Sequence, residues 1–383
     1  MKNKSCNNPV CSVCGNKMVK NGKTSAKKTR WRCRACGASS IQHRQDITRK
    51  KQLRLFMKWL LENYSLKQLA IPSSSFYYQC DWCWRIPVPQ PSRTGVIRAQ
   101  IMVDGTYFQG WCLLVAYDSK HVLAWQWCNR ESKASWKALL QRVTESTVVV
   151  TDGGTGLRSA LSELWPHTRI QRCFFHIQQN VIRYTTQHPN LEAGKEILDF
   201  TNELMKVRTQ QQAEQWKEQY DNWEQKWEDF LKERTFINPY PKKPRKRAWW
   251  YTHRDLRTVR ALYRRIISDN SLFTFIEMKT DSPINRTTSP LEGGVNKGIK
   301  DLLRAHKGMS EEHARRAVEW YLNSLTEYPV DPWDEAVKFF KKETMNTPHE
   351  EKEEYITGYD NAINPVQPWE DSYLFIRKGW AGR

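Results

Sequence analysis

The chain has 383 residues, and its 61 Lys and Arg against 41 Asp and Glu give a formal net charge of +20 and a pI near 9.5. With 39% hydrophobic residues and 18 Trp it holds enough apolar material for a real core, which excludes wholesale disorder. It has no run of 18 apolar residues to cross a membrane and no apolar leader, so the expectation is a soluble intracellular protein of two or three domains whose large partner is a polyanion, nucleic acid first.

Residues 1–58 carry 16 Lys and Arg against Asp46 alone, and 242–265 carry ten against Asp255 alone. Residues 331–383 are acidic, with 11 acids against 7 bases. Within the basic front, Cys11-x2-Cys14 and Cys33-x2-Cys36 are each followed by glycine, Gly15 and Gly37. Each C-x2-C knuckle puts two thiolates on one side of a tight turn, and two knuckles close a tetrahedral structural zinc site without an open catalytic position. A 35–40-residue unit with so little core needs that metal to fold. The stretch between the knuckles, with Lys27, Lys28, Arg30, Trp31 and Arg32, reads as a DNA-backbone contact surface.

Leu53, Phe56, Trp59, Leu60 and Tyr64 mark one face of an amphipathic helix. A short helix over SLKQLA, a break at Pro72 and an aromatic helix follow, the order of a helix-turn-helix DNA reader. Cys80 and Cys83 read as packing residues there. The proline-rich run from Ile86 to Gly95 is the expected linker.

Beyond the linker the period changes to that of strands. IMVDGTYF (101–108), WCLLVAYDS (111–119) and HVLAWQWC (121–128) read as an antiparallel meander. Helix and strand then alternate through SWKALLQRV, TVVVTDGG, TGLRSALSELW and TRIQRCFFHIQQNV, giving a mixed α/β sheet in the order of the ribonuclease H fold. In that order Asp104 lies on the first strand and Asp152 ends the fourth, each followed by glycine. On neighbouring strands the two carboxylates would repel unless a divalent cation sat between them. Asp118 reads instead as turn chemistry. Residues 186–265 read as helical, with Trp216, Tyr220, Trp223, Trp227 and Phe230 as an interhelical seam, a dimer face or a base-stacking platform. Glu292 falls in the first turn of a later helix that also carries Asn296, Ile299 and Lys300. There a glutamate can complete a three-carboxylate site, although a first-turn Glu often only serves the helix dipole.

The Cys ribbon, VDGT at 103–106, VVTDGG at 149–154, RCFFH at 172–176 and TTSPLEGGVNKGIK at 287–300 together resemble DDE-type transposases of bacterial insertion sequences, in the group related to the Mutator elements. The resemblance runs from about residue 10 to residue 325. It implies Asp104, Asp152 and Glu292 as a catalytic triad holding two magnesium (or manganese) ions, with Cys173 and His176 as a C-x2-H pair near the site and Asn296 beside it. Two ligands do not close a site, so that pair is not read as a zinc centre.

The expected architecture is a multidomain α+β chain. It comprises a zinc ribbon (1–42), a helix-turn-helix-like DNA-binding segment (45–86) and a ribonuclease H-like α/β catalytic core in two parts (96–185 and 281–330). An all-helical insertion (186–280) interrupts the core, and an acidic C-terminal tail (331–383) follows it. The expected activity is cleavage of element ends and strand transfer by two-metal-ion phosphoryl transfer. Lys297, Lys300 and Arg304 are expected to contact phosphate near the reacting strand, and Arg245, Lys246 and Arg247, with the ribbon, to hold DNA flanks. A homodimer or larger assembly on double-stranded DNA and a cytoplasmic, nucleoid-associated location follow from the resemblance. Two rivals remain: a ribonuclease H-fold nuclease without strand transfer, and a transposase-derived DNA-binding regulator.

Overall fold

The computed structural model describes residues 8–11, 14–41, 45–62, 64–108, 110–236, 248–280 and 282–345. It divides into two compact units, Met1–Pro87 with Asp331–Lys341, and Val88–Val330 with Lys342–Arg383. Among the described residues no helix is long and apolar enough to cross a membrane.

The first unit opens with a three-stranded antiparallel sheet, β1 (Met18–Lys23), β2 (Thr29–Cys33) and β3 (Ser39–Ile41). Strand alternation sorts its side chains. Trp31 and Cys33 turn inward to pack with Cys11 and Met18, while Arg30 and Arg32 turn outward. The Trp31 indole is therefore core, and the outward face is left to the basic residues.

Helix α1 (Gln45–Leu61) buries Leu53, Phe56, Trp59 and Leu60, but it ends before Tyr64, which is exposed. Residues 66–70, expected as a short helix, form turns in which Ala70 takes a positive φ of 53°. Then α2 (Ser73–Cys80) and a 3₁₀ turn (Asp81–Arg85) stack aromatics on α1: Phe56 meets Trp84 edge-on at 4.7 Å, and Trp59 meets Phe76 at 5.1 Å. Cys80 and Cys83 are buried among them. Helix α13 (Pro332–Met345), within the segment expected as an acidic tail, lays Phe340 4.0 Å under the Arg49 guanidinium. The rest of that segment lies outside the described residues.

The second unit is built on a five-stranded sheet of β4 (Gln100–Phe108), β5 (Trp111–Tyr117), β6 (Val122–Cys128), β7 (Val148–Thr151) and β8 (Arg169–Arg172), in the order β6-β5-β4-β7-β8. The first three pair antiparallel, and β4-β7-β8 run parallel. Helices α3 (Lys133–Leu140) and α4 (Thr155–Leu164) cover one face, packing Trp136, Leu139, Leu157 and Leu161 on Ile101, Val103, Leu114 and Val149. Covered on both faces, β5 and β7 read as continuous apolar runs, as buried strands should. Asp118 is a turn residue. Its Oδ1 accepts from Lys120 N at 3.0 Å and His121 N at 2.7 Å, and its Oδ2 accepts from Arg98 Nε at 2.7 Å.

The insertion packs around its own aromatic core. Helices α5 (Phe174–Thr185), α6 (Glu192–Leu204), α7 (Gln210–Lys226), α8 (Glu228–Lys232) and α9 (Arg254–Ser268) surround Phe200, Trp216, Tyr220, Trp223 and Tyr263, and the short α10 (Thr274–Glu277) adds Phe275 and Ile276. It is not all helical, which corrects the sequence reading. β9 (Arg234–Phe236) and β10 (Trp249–Tyr251) form an antiparallel ribbon, where the β-favouring RTF and WWY override the surrounding helical pattern. Arg245, Lys246 and Arg247 lie outside the described residues. Trp216 stacks on Phe200 at 4.1 Å and donates from Nε1 to the Phe200 carbonyl at 3.2 Å, so the aromatic stripe is an interhelical seam, not a stacking platform for bases. Trp216→Ala is therefore expected to cost about 3–5 kcal/mol in denaturant unfolding. A loss below about 1 kcal/mol would show that the indole does not hold this core.

Candidate functional site

The parallel register of β4 and β7 builds the centre. Gln100, Ile101 and Met102 pair with Val148, Val149 and Val150, a constant offset that sets Asp104 level with Asp152 two residues further on. Side chains alternate along a strand, so both acids leave the sheet on the face opposite α3 and α4. On that face a π-helical turn (Leu291–Asn296) runs into α11 (Lys297–Ala305), followed by α12 (Glu311–Ser324). Glu292 thus sits in the first turn, as expected, but that turn is π-helical. Gly293 and Gly294 stand inside this turn, and the wider winding carries Glu292 and Asn296 toward the sheet. Asn296 Nδ2 donates to Asp104 Oδ2 at 2.8 Å.

Each acid is held by neighbours that orient it. Asp152 Oδ1 accepts from Gly154 N at 3.0 Å and from the Thr151 hydroxyl at 3.2 Å. Glu292 Oε1 accepts a short hydrogen bond from the Thr288 hydroxyl and lies 3.7 Å from His176 Nδ1. Burial pushes the Asp104 carboxyl well above the usual range; His176 opposes this, while the charges of Asp152 and Glu292 add to it.

Cys173, the N-cap residue of α5, and His176 in its first turn stand beside Glu292. The ligand atoms of Cys173, His176 and Glu292 lie within 4.8 Å of one another, and the same holds for the four ribbon cysteines. Among the described residues these are the two such clusters, so the three acids do not all close on a single point. Cys173 Sγ also accepts from Thr288 N at 3.3 Å. Burial works against the His176 imidazolium, yet Cys173, Asp104 and Glu292 raise it to about 9.

In the ribbon, Cys11 Sγ lies 3.5 Å from Cys36 Sγ and Cys14 Sγ lies 3.4 Å from Cys33 Sγ. Zinc–sulfur bonds of about 2.3 Å in a tetrahedron require sulfurs about 3.8 Å apart, so the four thiols suit zinc. Asn16, through its backbone and side-chain N–H groups, lowers the Cys14 thiol to about 6, favouring the thiolate a metal needs.

The Asp152 loop depends on Gly153. Its φ is +84°, and a Cβ there would fall 1.9 Å from Nη1 of the buried Arg172. Gly154 has no such constraint, with Asp152 Oδ1 3.7 Å from its hypothetical Cβ. Gly153→Ala should therefore destabilise the chain by at least about 1 kcal/mol and Gly154→Ala by much less, read from thermal melts of the two variants. Equal melting temperatures would refute the assignment.

Two features escaped the sequence reading. Arg172 is buried against the Asp152 loop, its Nη1 3.4 Å from the Gly153 carbonyl. Glu131, just after β6, adds to the upward push on the Asp104 carboxyl, and burial raises its own carboxyl to about 8, helped by the charge of Asp152. Arg172 opens the RCFFH run, in which the sequence reading gives a role only to the cysteine and histidine, and a glutamate before a helix N-cap carries no pattern that would mark it. The basic residues Lys27, Lys28, Arg30, Arg32, Lys297 and Lys300 are exposed, whereas Arg304 pairs with Asp301 at 2.7 Å.

With this geometry in place, comparison with known sequences gives a consistent picture. Residues 113–270 match the family described as "Transposase, Mutator family". A transposase for insertion sequence element IS905 of Lactococcus lactis is 29% identical over 141 aligned positions, covering 31% of this chain and 36% of the relative. A transposase for insertion sequence element IS6120 of Mycolicibacterium smegmatis is 40% identical over 76 positions, covering 18% of this chain and 24% of that relative. The chain thus spans about a third or less of the curated relatives it matches, and over that span it resembles bacterial insertion-sequence transposases.

Proposed function

We propose that this chain is a DNA transposase that binds the terminal inverted repeats of its own element and cleaves and joins DNA strands on a ribonuclease H-like core. The observation that carries the reading is the level placement of Asp104 and Asp152 on adjacent parallel strands, with the Glu292-bearing turn bonded to Asp104 through Asn296. A sheet of three antiparallel strands followed by two parallel ones supports the proposed core.

Asp104, Asp152 and Glu292 would hold two magnesium ions. When bound, these supply activation of an attacking hydroxyl and charge stabilisation at the leaving 3′-oxygen. The residues of the chain do the positioning. Asn296 fixes one Asp104 oxygen, Thr151 and Gly154 fix Asp152, and Thr288 fixes Glu292. The buried orphan Oδ1 of Asn296, beside acids that repel one another, fits a centre completed by cations. Lys297 and Lys300 would steady phosphates near the reacting strand, and the ribbon's outward Lys27, Lys28, Arg30 and Arg32 would grip the flanking duplex. Because Asp301 engages Arg304, that residue is the weakest of the proposed contacts. Joining two ends calls for at least a dimer on DNA.

The test is to place the gene, flanked by its native genomic DNA, on a plasmid and sequence for newly joined element ends, with Asp104→Asn as control. Junctions from the native chain and none from the variant support the reading. Cleaved ends without junctions would indicate a nuclease, and DNA binding with neither would indicate a regulator.

A further inference from the structure

Arg172 is a buried cation to which, among the described residues, no carboxylate is paired. It closes β8, and its parallel pairing with Thr151 puts it on the face that Val149 and Ile170 turn toward α3 and α4, opposite the face by which Asp152 leaves the sheet. At 3% exposure its guanidinium makes one hydrogen bond, from Nη1 to the Gly153 carbonyl at 3.4 Å, and its Nε has no partner. The acids around it are engaged elsewhere. Asp269 pairs with Arg158 at 2.6 Å, Glu277 pairs with Arg169 at 2.6 Å, and Asp152 Oδ1 accepts from Gly154 N and Thr151. A guanidinium taken out of water is costly unless an opposite charge meets it.

The same side chain lines a cavity of about 160 Å³ at the β8 edge of the sheet, walled also by Arg158 on α4, Arg169 on β8 and the turn 269–271 after α9. A water takes about 30 Å³ of the liquid, so one tetrahedral oxyanion has room there. Three guanidinium groups thus line one cavity against a single lining carboxylate, Asp269. Arg158 and Arg169 stand at its rim, 33% and 42% exposed, and each commits only one nitrogen to its acid, which leaves further N–H groups on both. The walls are tied together before any ligand arrives. Arg172 N donates to the Ser271 carbonyl at 2.8 Å, and Gln171 Nε2 donates to the Leu272 carbonyl at 2.8 Å.

We propose that this cavity binds a phosphate group, with Arg172 as its buried anchor and Arg158 and Arg169 as the rim forks that meet its outer oxygens. Guanidinium forks match phosphate oxygens in pairs, and a phosphate supplies the charge that the protein does not. The site is separate from the three acids, on the other face of the sheet. Because Arg172 also holds the Gly153 carbonyl, a phosphate bound there steadies the loop of Asp152 from behind. The phosphate is free or belongs to a nucleic-acid backbone; its chemistry at the arginines is the same.

The probe is inorganic phosphate, titrated into the zinc-loaded full chain at constant ionic strength and followed by calorimetry. No DNA takes part, so this measurement stands or falls apart from the proposed function. Wild type should show one saturable site. Arg172→Met should weaken it by about tenfold or more, and Arg169→Gln, at the half-exposed rim, by a smaller factor. Lys195→Gln, which removes a surface cation on α6, should leave it unchanged and so exclude a general attraction to a basic chain. Absence of saturable binding, or wild-type affinity in both arginine variants, would overturn the proposal. Should Arg172→Met not fold, as judged by circular dichroism, Arg158→Gln and Arg169→Gln decide: unchanged affinity in both overturns it, and a loss in either supports it. A saturating short DNA duplex then separates the sources. Displacement of the phosphate, with a duplex affinity in Arg169→Gln that depends less steeply on salt, identifies a backbone phosphate, and undisturbed uptake identifies a free one.

Discussion

Asp152→Asn is expected to abolish strand joining, lowering its rate by about a thousandfold or more, while leaving the fold and the zinc content unchanged. Two-metal phosphoryl transfer places several kcal/mol of transition-state stabilisation in the bound ions, and a loss of about 4 kcal/mol corresponds to that factor. The stability of the metal-free protein supplies an independent signature. Burial and the neighbouring charges of Asp152 and Glu292 raise the Asp104 carboxyl, so its ionised form is disfavoured in the folded chain relative to the unfolded one. The resulting cost is absent well below the ordinary value of 3.8 and grows as pH rises through the interval up to the raised folded value. Asparagine at 152 removes one charge that repels Asp104 and one that favours the buried Arg172 guanidinium, so at neutral pH the metal-free variant should melt close to wild type. Magnesium at about 100 times its dissociation constant should stabilise wild type by about 2.7 kcal/mol and the variant far less. Thermal melts with and without magnesium measure both effects. A variant that melts lower than wild type without metal, or gains as much from magnesium, would show that Asp152 is structural.

Cys33→Ser, or chelation of zinc, is expected to unfold the β1–β3 ribbon outright. Among the described residues, the ribbon's buried apolar side chains amount to Met18 and Trp31 beside two cysteine sulfurs, far too little to offset the conformational entropy of ordering its chain. A structural zinc site contributes about 10–16 kcal/mol of apparent binding free energy in small peptides of this kind, which makes metal and fold inseparable. Exchange protection of the ribbon amides should vanish on chelation and return with stoichiometric zinc, while the central sheet stays protected. DNA-end binding should fall with the ribbon. Persistent protection in the chelated protein would refute a zinc-dependent fold.

Residues of strong local pattern made much of this legible in the sequence. The knuckle cysteines declare themselves by spacing, and Asp104 and Asp152 by following apolar runs and preceding glycine. Their shared level could not be read, because it depends on the parallel register of β4 and β7, which no local pattern encodes. The same holds for Glu131 and Arg172, which reach the centre only through the folding of distant elements. The β9–β10 ribbon was missed because its six residues sit inside a long helical pattern. The π turn was missed because LEGGVN has no period that separates it from an α-helix. Trp31 was misplaced for a simpler reason: basic neighbours suggested a surface, whereas strand alternation turns its indole inward.

The length of the insertion has a consequence for the life of the chain at the ribosome. Asp104 and Asp152 are made early, but 139 residues separate Asp152 from Glu292. At about 5–20 residues per second, synthesis of that interval takes roughly 7–30 s. Throughout that time the sheet has two of its acids and lacks the turn that would steady Asp104. On the proposed function, a chain released early at any point in the insertion would carry the ribbon without Glu292, and would occupy DNA ends without breaking them. The order of residues would then make cutting the last capability acquired, a delay between grasping an element and mobilising it.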